Sequence, residues 1–224
     1  MHRISLVIFD SDGVLVDSEP ISSRVLAQAL SNLGIQMSAE ESRARFTGLT
    51  MEDVENLVAS ELGKPLPPDW LANFLHARAE VFKTDLREIP GAGETVRMLS
   101  QCGFEMCVAS QARIEKTLLT LQLTGLLPYF EGRIFSASMV RRPKPFPDLF
   151  LHAASEMGHA PESCAVIEDS LPGVRAAGAA GMTVFGYAPN SDGAWALERA
   201  GACVFDDIGK LPEILAKLCA VPAS

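Results

Sequence analysis

The feature that most constrains this chain is a short apolar run near its amino terminus that ends in two closely spaced aspartates. Residues 4–9 are mostly apolar and rich in branched side chains, which is typical of a buried strand in a parallel sheet. Asp10 and Asp12 follow, and Gly13 allows the chain to turn. Alternate side chains of an extended backbone share one side. We therefore expect both carboxylates at the carboxyl end of this strand, where open α/β sheets bind their ligands.

The rest of the chain has two different patterns. Residues 17–86 show helical apolar spacing with no strand pattern, whereas strands and helices alternate from residue 87 onward. Alternation of this kind predicts a parallel sheet with helices on both faces. Since a single strand is not stable alone, the first strand must join that sheet. The predicted fold is therefore α/β, a Rossmann-like doubly wound parallel core (residues 1–16 and 87–224) with an inserted α-helical cap (residues 17–86).

Bulk composition excludes several classes of partner. The chain has 224 residues, of which 48% are hydrophobic, and a formal net charge of −9. This acidic balance argues against binding to nucleic acid or to an anionic membrane surface, and no apolar run is long enough to span a bilayer. Five cysteines without a CxxC pair, and no export signal, predict reduced, buried thiols in the cytoplasm.

Polar groups follow two later apolar runs as well. Ser110 ends a predicted strand at 104–109, and Glu168 and Asp169 end another. Between them, Lys144 stands between two prolines, which predict a stiff extended segment. Four carboxylates in one cleft repel one another, at a cost of about 4 kcal/mol for each pair about 4 Å apart at an effective dielectric of about 20. This repulsion predicts a bound divalent cation with oxygen ligands, and Mg²⁺ is the ion that pairs with substrate phosphates.

The four motifs, in this order and at this spacing, resemble those of the haloacid dehalogenase superfamily phosphatases with a small helical cap. The resemblance extends over nearly the whole chain and is strongest to the β-phosphoglucomutase-like and 6-phosphogluconate phosphatase-like subgroup. It implies that Asp10 is the nucleophile and forms an aspartyl phosphate, and that Asp12 is the general acid and base. It also implies that Ser110 and Lys144 complete the catalytic set by stabilising charge on the transferring phosphoryl group.

The same resemblance implies a set of metal ligands. The carboxylates of Asp10 and Asp169 and the backbone carbonyl of Asp12 would hold Mg²⁺. Glu168 would be either a further ligand or an acceptor behind the ligands, and both roles stay open.

Substrate contacts are expected from the core and from the cap. Mutase relatives carry a histidine, a lysine and an arginine where this chain has Ser22, Thr47 and Met51. The basic groups that would hold a second phosphate are therefore missing, which favours a hydrolase over a mutase. The predicted substrate-binding residues are Ser110, Gln111, Lys144, Thr47, Gly48, Arg24 and Arg45.

The predicted function is Mg²⁺-dependent hydrolysis of a small phosphorylated metabolite, a sugar or sugar-acid phosphate, by a monomer or a weak homo-oligomer. The cap would open and close about hinges near residues 15–19 and 83–89. The alternatives are a β-phosphoglucomutase-type phosphotransferase and a non-catalytic phosphate-binding regulatory module. A dehalogenase would lack the second aspartate that Asp12 supplies, and a nicotinamide enzyme would need a GxGxxG motif that is absent.

Overall fold

The computed structural model describes residues 4–47, 49–190 and 193–219. The chain divides into two compact units. One runs up to Val16 and resumes at Glu88, and the other is Asp17–Arg87. The second crossing point lies one residue beyond the boundary expected from the sequence.

The first unit is built on one six-stranded sheet in which all adjacent strands are parallel. The strand order is β3-β2-β1-β4-β5-β6, so β1 lies inside the sheet. The predicted fold class is thus confirmed. The strands are β1 (Leu6–Phe9), β2 (Glu105–Ser110), β3 (Ile134–Ser136), β4 (Cys164–Glu168), β5 (Thr183–Tyr187) and β6 (Cys203–Phe205).

Ten α-helices accompany the strands in the part of the chain that the structure describes. Four belong to the second unit: α1 (Glu19–Ser31), α2 (Ala39–Phe46), α3 (Met51–Leu62) and α4 (Trp70–Asp85). Six belong to the first: α5 (Ala92–Gln101), α6 (Ile114–Leu123), α7 (Asp148–Glu156), α8 (Leu171–Ala179), α9 (Ala194–Arg199) and α10 (Leu211–Cys219). Single 3₁₀ turns lie at Leu127–Tyr129, Ala137–Met139, Pro161–Ser163 and Ile208–Lys210.

The core explains why β1 is so apolar. All four of its residues are fully buried, because β2 and β4 flank it and helices cover both faces of the sheet. Leu6 and Ile8 pack into the cluster that contains α7 and α8. Phe9 meets Phe130 edge to face, with ring centroids 6.0 Å apart. Burial on this scale fixes the register of β1, and with it the position of the residue that follows.

Two helices of the helical unit begin with a capping box. Ser38 and Glu41 form a capping box at the start of α2, and Thr50 and Asp53 form another at α3. The helices bury a separate apolar core made of Ile21, Val25, Leu26, Leu30, Phe46, Val54, Val58, Trp70, Phe74 and Phe82.

Two expectations drawn from composition have different outcomes. Among the described residues, no helix is both long and apolar enough to cross a membrane. The expectation of buried thiols holds for Cys107 and Cys164 but is wrong for Cys102 and Cys203, which are exposed at the end of a helix and on the outermost strand β6. All four are free thiols.

Candidate active site

Three neighbouring strands end at one edge of the sheet, and polar side chains follow all three. Phe9 pairs with Val108 on one side and with Ile167 on the other. The next residue, Asp10, donates its backbone N–H to the carbonyl of Ile167 (2.9 Å). Ser110 and Glu168 end the two flanking strands. The register of the sheet therefore brings the first, second and fourth predicted motifs together.

Lys144 joins these strand ends through its buried ammonium group. Its Nζ donates to Asp10 Oδ1 (2.6 Å), to Glu168 Oε1 (2.7 Å) and to the carbonyl of Ala109 (2.9 Å). Only 4% of the lysine side chain and 9% of the Asp10 side chain are exposed. One cation thus holds two carboxylates in a site almost free of solvent, where charge-assisted hydrogen bonds are strong.

The segment that carries Lys144 differs from the expectation of an extended chain. The N–H of Phe146 donates to the carbonyl of Pro143 (3.0 Å), so the segment is a turn, and the Lys144–Pro145 peptide is cis. The two prolines do restrict the backbone, but this hydrogen bond folds it back on itself.

Burial and neighbouring charges shift the pKa values of Lys144 and Asp10. Burial opposes the charge on Lys144, but Asp10 and Glu168 more than offset it and raise the pKa of the ammonium above its ordinary value. Burial also raises the pKa of Asp10, to about 7. Lys144 opposes that rise, while Glu168 and Asp12 add to it. A further positive charge would therefore be needed to keep Asp10 ionised near neutral pH.

Glu168 is completely buried and uses both carboxylate oxygens within the protein. Oε1 accepts from Lys144, and Oε2 accepts from the backbone N–H (3.0 Å) and the hydroxyl (2.8 Å) of Ser170. The first turn of α8 lies directly against it, since a Cβ added to Gly173 would be 1.8 Å from Oε1. Of the two roles left open for Glu168, this geometry favours an acceptor behind the metal ligands over a ligand.

Asp12 and Asp169 lie on either side of a glycine turn. Asp12 Oδ1 accepts from the Nζ of Lys116 (2.7 Å). Gly13 has φ +81°, and a Cβ on it would lie 2.0 Å from Asp169 Oδ2. Only glycine allows the Asp169 carboxylate to approach the backbone this closely. Asp10 and Asp12 are thus each held by a different lysine.

The predicted phosphate-binding residues contact one another and the lysine turn. The buried hydroxyl of Ser110 accepts the N–H of Ala112 (3.1 Å) and keeps its own proton for donation. The side-chain amide of Gln111 donates to the carbonyl of Lys144 and accepts its N–H, both at 3.3 Å. The structure therefore gives Gln111 a role in positioning Lys144, and its contact with substrate stays a prediction.

The predicted substrate residues of the helical unit are engaged within that unit. Arg24 pairs with Asp85, and Arg45 pairs with Glu61 (2.5 Å). Thr47 is exposed at the end of α2. Gly48 lies outside the described residues. None of these contacts tests whether the side chains meet a substrate.

The sequence reasoning missed two residues that hold the cluster, Lys116 and Ser170. Lys116 is the third residue of α6, and a cation in the first turn of a helix is disfavoured by the helix dipole. That unfavourable position was the signal available. Ser170 is the N-cap residue of α8 and also binds Glu168, a second role that the sequence did not indicate.

The oxygen-rich edge fits a magnesium ion. Among the residues that the structure describes, no three His, Cys, Asp or Glu side chains form a metal cluster. Mg²⁺, however, is commonly held by one or two carboxylates together with water and substrate phosphate. Asp10 and Asp169 supply two carboxylates and Asp12 a backbone carbonyl. The four carboxylates and two lysines of this edge also leave two negative charges, which one divalent cation would neutralise.

This fold and this edge define a class of enzyme, a hydrolase with an aspartate at the end of the central strand. The family model for haloacid dehalogenase-like hydrolases matches residues 7–187, and the chain belongs to that family. It is an enzyme of the phosphatase type within the family.

Alignments with named relatives cover nearly the whole chain. The chain is 33% identical over 215 residues to the 6-phosphogluconate phosphatase of Escherichia coli (strain K12), and the aligned region covers 96% of each protein. It is 29% identical over 201 residues to the phosphorylated carbohydrates phosphatase of Thermotoga maritima, covering 88% of this chain and 91% of that one. A solved haloacid dehalogenase family hydrolase of Deinococcus radiodurans R1, with bound phosphate and sodium, superposes with a TM-score of 0.77 at 36% identity, covering 96% of each chain.

Proposed function

We propose that this protein is a Mg²⁺-dependent phosphomonoesterase that hydrolyses a small sugar phosphate or sugar-acid phosphate through an aspartyl-phosphate intermediate. The observation that carries the proposal is the buried Asp10 at the end of β1, held by Lys144 beside Ser110 and Glu168. Burial raises the pKa of Asp10 to about 7, and a carboxyl group with so strongly shifted a pKa is typical of an active site.

In the first step, a carboxylate oxygen of Asp10 attacks phosphorus. The bond between phosphorus and the ester oxygen of the substrate breaks, and Asp12, which enters this step protonated, donates its proton to that oxygen. Lys144 and the Ser110 hydroxyl stabilise charge on the oxygens of the transferring group.

In the second step, Asp12 takes a proton from a water molecule that attacks the aspartyl phosphate. The bond between phosphorus and Asp10 breaks, so inorganic phosphate leaves and the nucleophile is restored. A bound Mg²⁺, held by Asp10, Asp169 and the Asp12 carbonyl, would supply positive charge that orients the phosphate and favours the ionised form of Asp10.

The class of substrate follows from the relatives and from the cap sequence. Two relatives are named as phosphatases of 6-phosphogluconate and of phosphorylated carbohydrates. Ser22, Thr47 and Met51 stand where the mutase relatives have basic or imidazole groups, which supports hydrolysis over transfer to a second site.

We also propose that the helical unit Asp17–Arg87 is the cap that selects the substrate. The two points where the chain passes between the units lie within the segments 15–19 and 83–89, which we propose as hinges. The four free thiols support a reducing compartment, the cytoplasm. The net charge of −9 supports action on a small metabolite, by a monomer or a weak homo-oligomer, without nucleic acid or membrane.

The decisive experiment is phosphate release from 6-phosphogluconate, hexose phosphates and hexitol phosphates, with Mg²⁺ and with EDTA. We expect release from one or a few of these, dependent on Mg²⁺ and abolished in Asp10→Asn while that variant stays folded. Acid-quenched wild-type protein should carry phosphate that hydroxylamine removes, as an acyl phosphate does. A parallel assay with β-glucose 1-phosphate and a bisphosphate primer tests the mutase. Isomerisation without phosphate release would overturn the proposal, and so would near-normal activity of Asp10→Asn.

A further inference from the structure

A second lysine, Lys116, contacts Asp12 at the same end of the sheet, and it has no role in the mechanism proposed above. Its Nζ donates to Asp12 Oδ1 at 2.7 Å, across 104 positions of sequence. The lysine side chain is 14% exposed and that of Asp12 is 20% exposed. A charge-assisted hydrogen bond of this length between two largely covered groups restricts both side chains.

The place of Lys116 in its helix indicates that the contact has a purpose beyond stabilising α6. It is the third residue of that helix, where the positive end of the helix dipole makes a cation unfavourable. The stabilisation that offsets this unfavourable position must therefore come from the contact with Asp12.

The backbone around Asp12 is already fixed, so the lysine adds control of the side chain. Asp12 forms a bridge with Val16, Gly13 donates its N–H to the carbonyl of Val16 (2.9 Å), and Leu15 donates to that of Ser11 (2.9 Å). These backbone hydrogen bonds do not act on the carboxyl group of Asp12. The hydrogen bond from Lys116 does, and it favours one rotation of that side chain.

The two lysines of the site divide the carboxylates between them. Lys144 holds Asp10 and Glu168, whereas Lys116 holds Asp12. We propose that Lys116 is a positioning residue that holds the Asp12 carboxyl group, through Oδ1, in the orientation required for proton transfer to the leaving oxygen. The inference rests on the proposed function, in which Asp12 is the general acid.

The kinetic test compares leaving groups. In wild type, Lys116→Met and Lys116→Arg, kcat/KM is measured for a sugar phosphate, whose alkoxide needs a proton to leave, and for acetyl phosphate, whose carboxylate leaves without one. This ratio reports the steps up to departure of the leaving group. Since general acid catalysis is worth about 10²–10⁴-fold, we expect Lys116→Met to lose about 10- to 100-fold with the sugar phosphate and less than about threefold with acetyl phosphate. Lys116→Arg should recover most of the loss.

Inorganic phosphate distinguishes positioning from direct binding. As a product inhibitor it should bind Lys116→Met as tightly as it binds wild type, because the proposed role of Lys116 is to hold Asp12 and not the phosphoryl group. Equal losses with both substrates, weaker phosphate inhibition, or no loss at all would each overturn the proposal. Lys210→Met is the matched control, since its Nζ contacts Asp206 at the same 2.7 Å but on the surface.

A thermal double-mutant cycle without metal tests the contact apart from activity. Lys116→Met, Asp12→Asn and the double variant should show non-additive shifts in melting temperature, the double variant melting above the sum of the single shifts. Additive shifts would overturn the proposal. If Lys116 and Asp12 are coupled but the protein hydrolyses no phosphate ester, the proposed function is wrong. The positioning role of Lys116 in that reaction is then wrong as well.

Discussion

At the scale of single residues, Lys144 is the group on which the cluster depends most. Its ammonium is the shared partner of two buried carboxylates and of the carbonyl of Ala109. Removing one member of a buried ion pair leaves the remaining charges without compensation, which typically costs about 3–5 kcal/mol.

We therefore expect Lys144→Met to lower the free energy of unfolding by about 3 kcal/mol or more and to abolish phosphatase activity. Urea unfolding in EDTA measures the first effect. Lys210→Met, which breaks an exposed pair, should leave the free energy of unfolding almost unchanged. A stability of Lys144→Met equal to that of the control would show that the buried cluster is not held as described.

The raised pKa of Asp10 leads to a prediction about how the stability of the protein depends on pH. Because its pKa is about 7 in the folded protein and about 3.8 in the unfolded chain, the folded state holds a proton across this interval that the unfolded state releases. The stability that Asp10 contributes is thus fully present below pH 3.8 and is lost as pH rises through 7. Asn at this position does not titrate, so the stability of Asp10→Asn relative to wild type should increase between pH 5 and 7, by up to about 1.4 kcal/mol per pH unit.

This comparison is made on metal-free protein in EDTA, by urea unfolding at several pH values. Asp206→Asn serves as the control, because a hydrogen bond from Lys210 holds the pKa of Asp206 below its ordinary value and outside the interval tested. A difference between Asp10→Asn and wild type that does not change with pH would show that the carboxyl is already ionised in the folded state.

Side-chain partners across long sequence separations were the part of the site that the sequence could not predict. Asp10, Ser110 and Glu168 were predictable because each ends an apolar run, and a run is visible locally. The contact between Lys116 and Asp12 joins residues 104 positions apart, and no local pattern marks it. The turn at Lys144 was misjudged for a similar reason, since its fold depends on the hydrogen bond between Phe146 and Pro143.

At the scale of elements, the start of α8 is shaped by the carboxylate beneath it. Gly173 lies in its first turn, where a Cβ would meet Glu168 Oε1 at 1.8 Å, while a Cβ added to Gly178 in the same helix would meet nothing within 4 Å. The two glycines therefore form a matched pair in one helix.

We expect Gly173→Ala to destabilise the protein by about 1–3 kcal/mol and to lower kcat at least tenfold, because either α8 or Glu168 must move. Gly178→Ala should be neutral or stabilising by up to about 1 kcal/mol, since alanine favours the helix. Thermal melts and kcat for both variants decide the matter, and equal behaviour of the two would contradict the close packing at Glu168.

Elements were more predictable than contacts. The strands predicted at 4–9 and 104–109 lie within two residues of β1 and β2, since buried parallel strands are apolar throughout and end abruptly at polar residues. The start of α2 was predictable because Ser38 and Glu41 have the spacing of a capping box, and Thr50 and Asp53 have the same spacing at the start of α3. The apolar spacing predicts a last helix over 208–219, whereas a 3₁₀ turn occupies Ile208–Lys210 and α10 begins at Leu211.

At the scale of the whole molecule, the two units have separate roles in the proposed function. The sheet unit would carry the reacting groups, and the helical unit Asp17–Arg87 would choose among phosphate esters. Chemistry and specificity should then respond separately to mutation.

We expect Thr47→Ala and Met51→Ala to change the ratio of kcat/KM between a sugar phosphate and acetyl phosphate several-fold, with a melting temperature close to that of wild type. Thr47 is exposed and Met51 is partly exposed, so neither supports the core of its unit. Lys64→Ala, another exposed change in the unit, should leave the ratio unaltered. An unchanged ratio in both Thr47 and Met51 variants would remove them from substrate selection.

The position of β1 in the sheet also sets an order of events during synthesis. This strand is made first, yet its two hydrogen-bonded partners, Glu105–Ser110 and Cys164–Glu168, follow about a hundred residues and more later. The helical unit is a single continuous segment with its own core and can fold in that interval. On the ribosome, the helical unit can thus be folded while the residue proposed as the nucleophile still lies on an unpaired strand, and the proposed active site is assembled only after β4 has been synthesised.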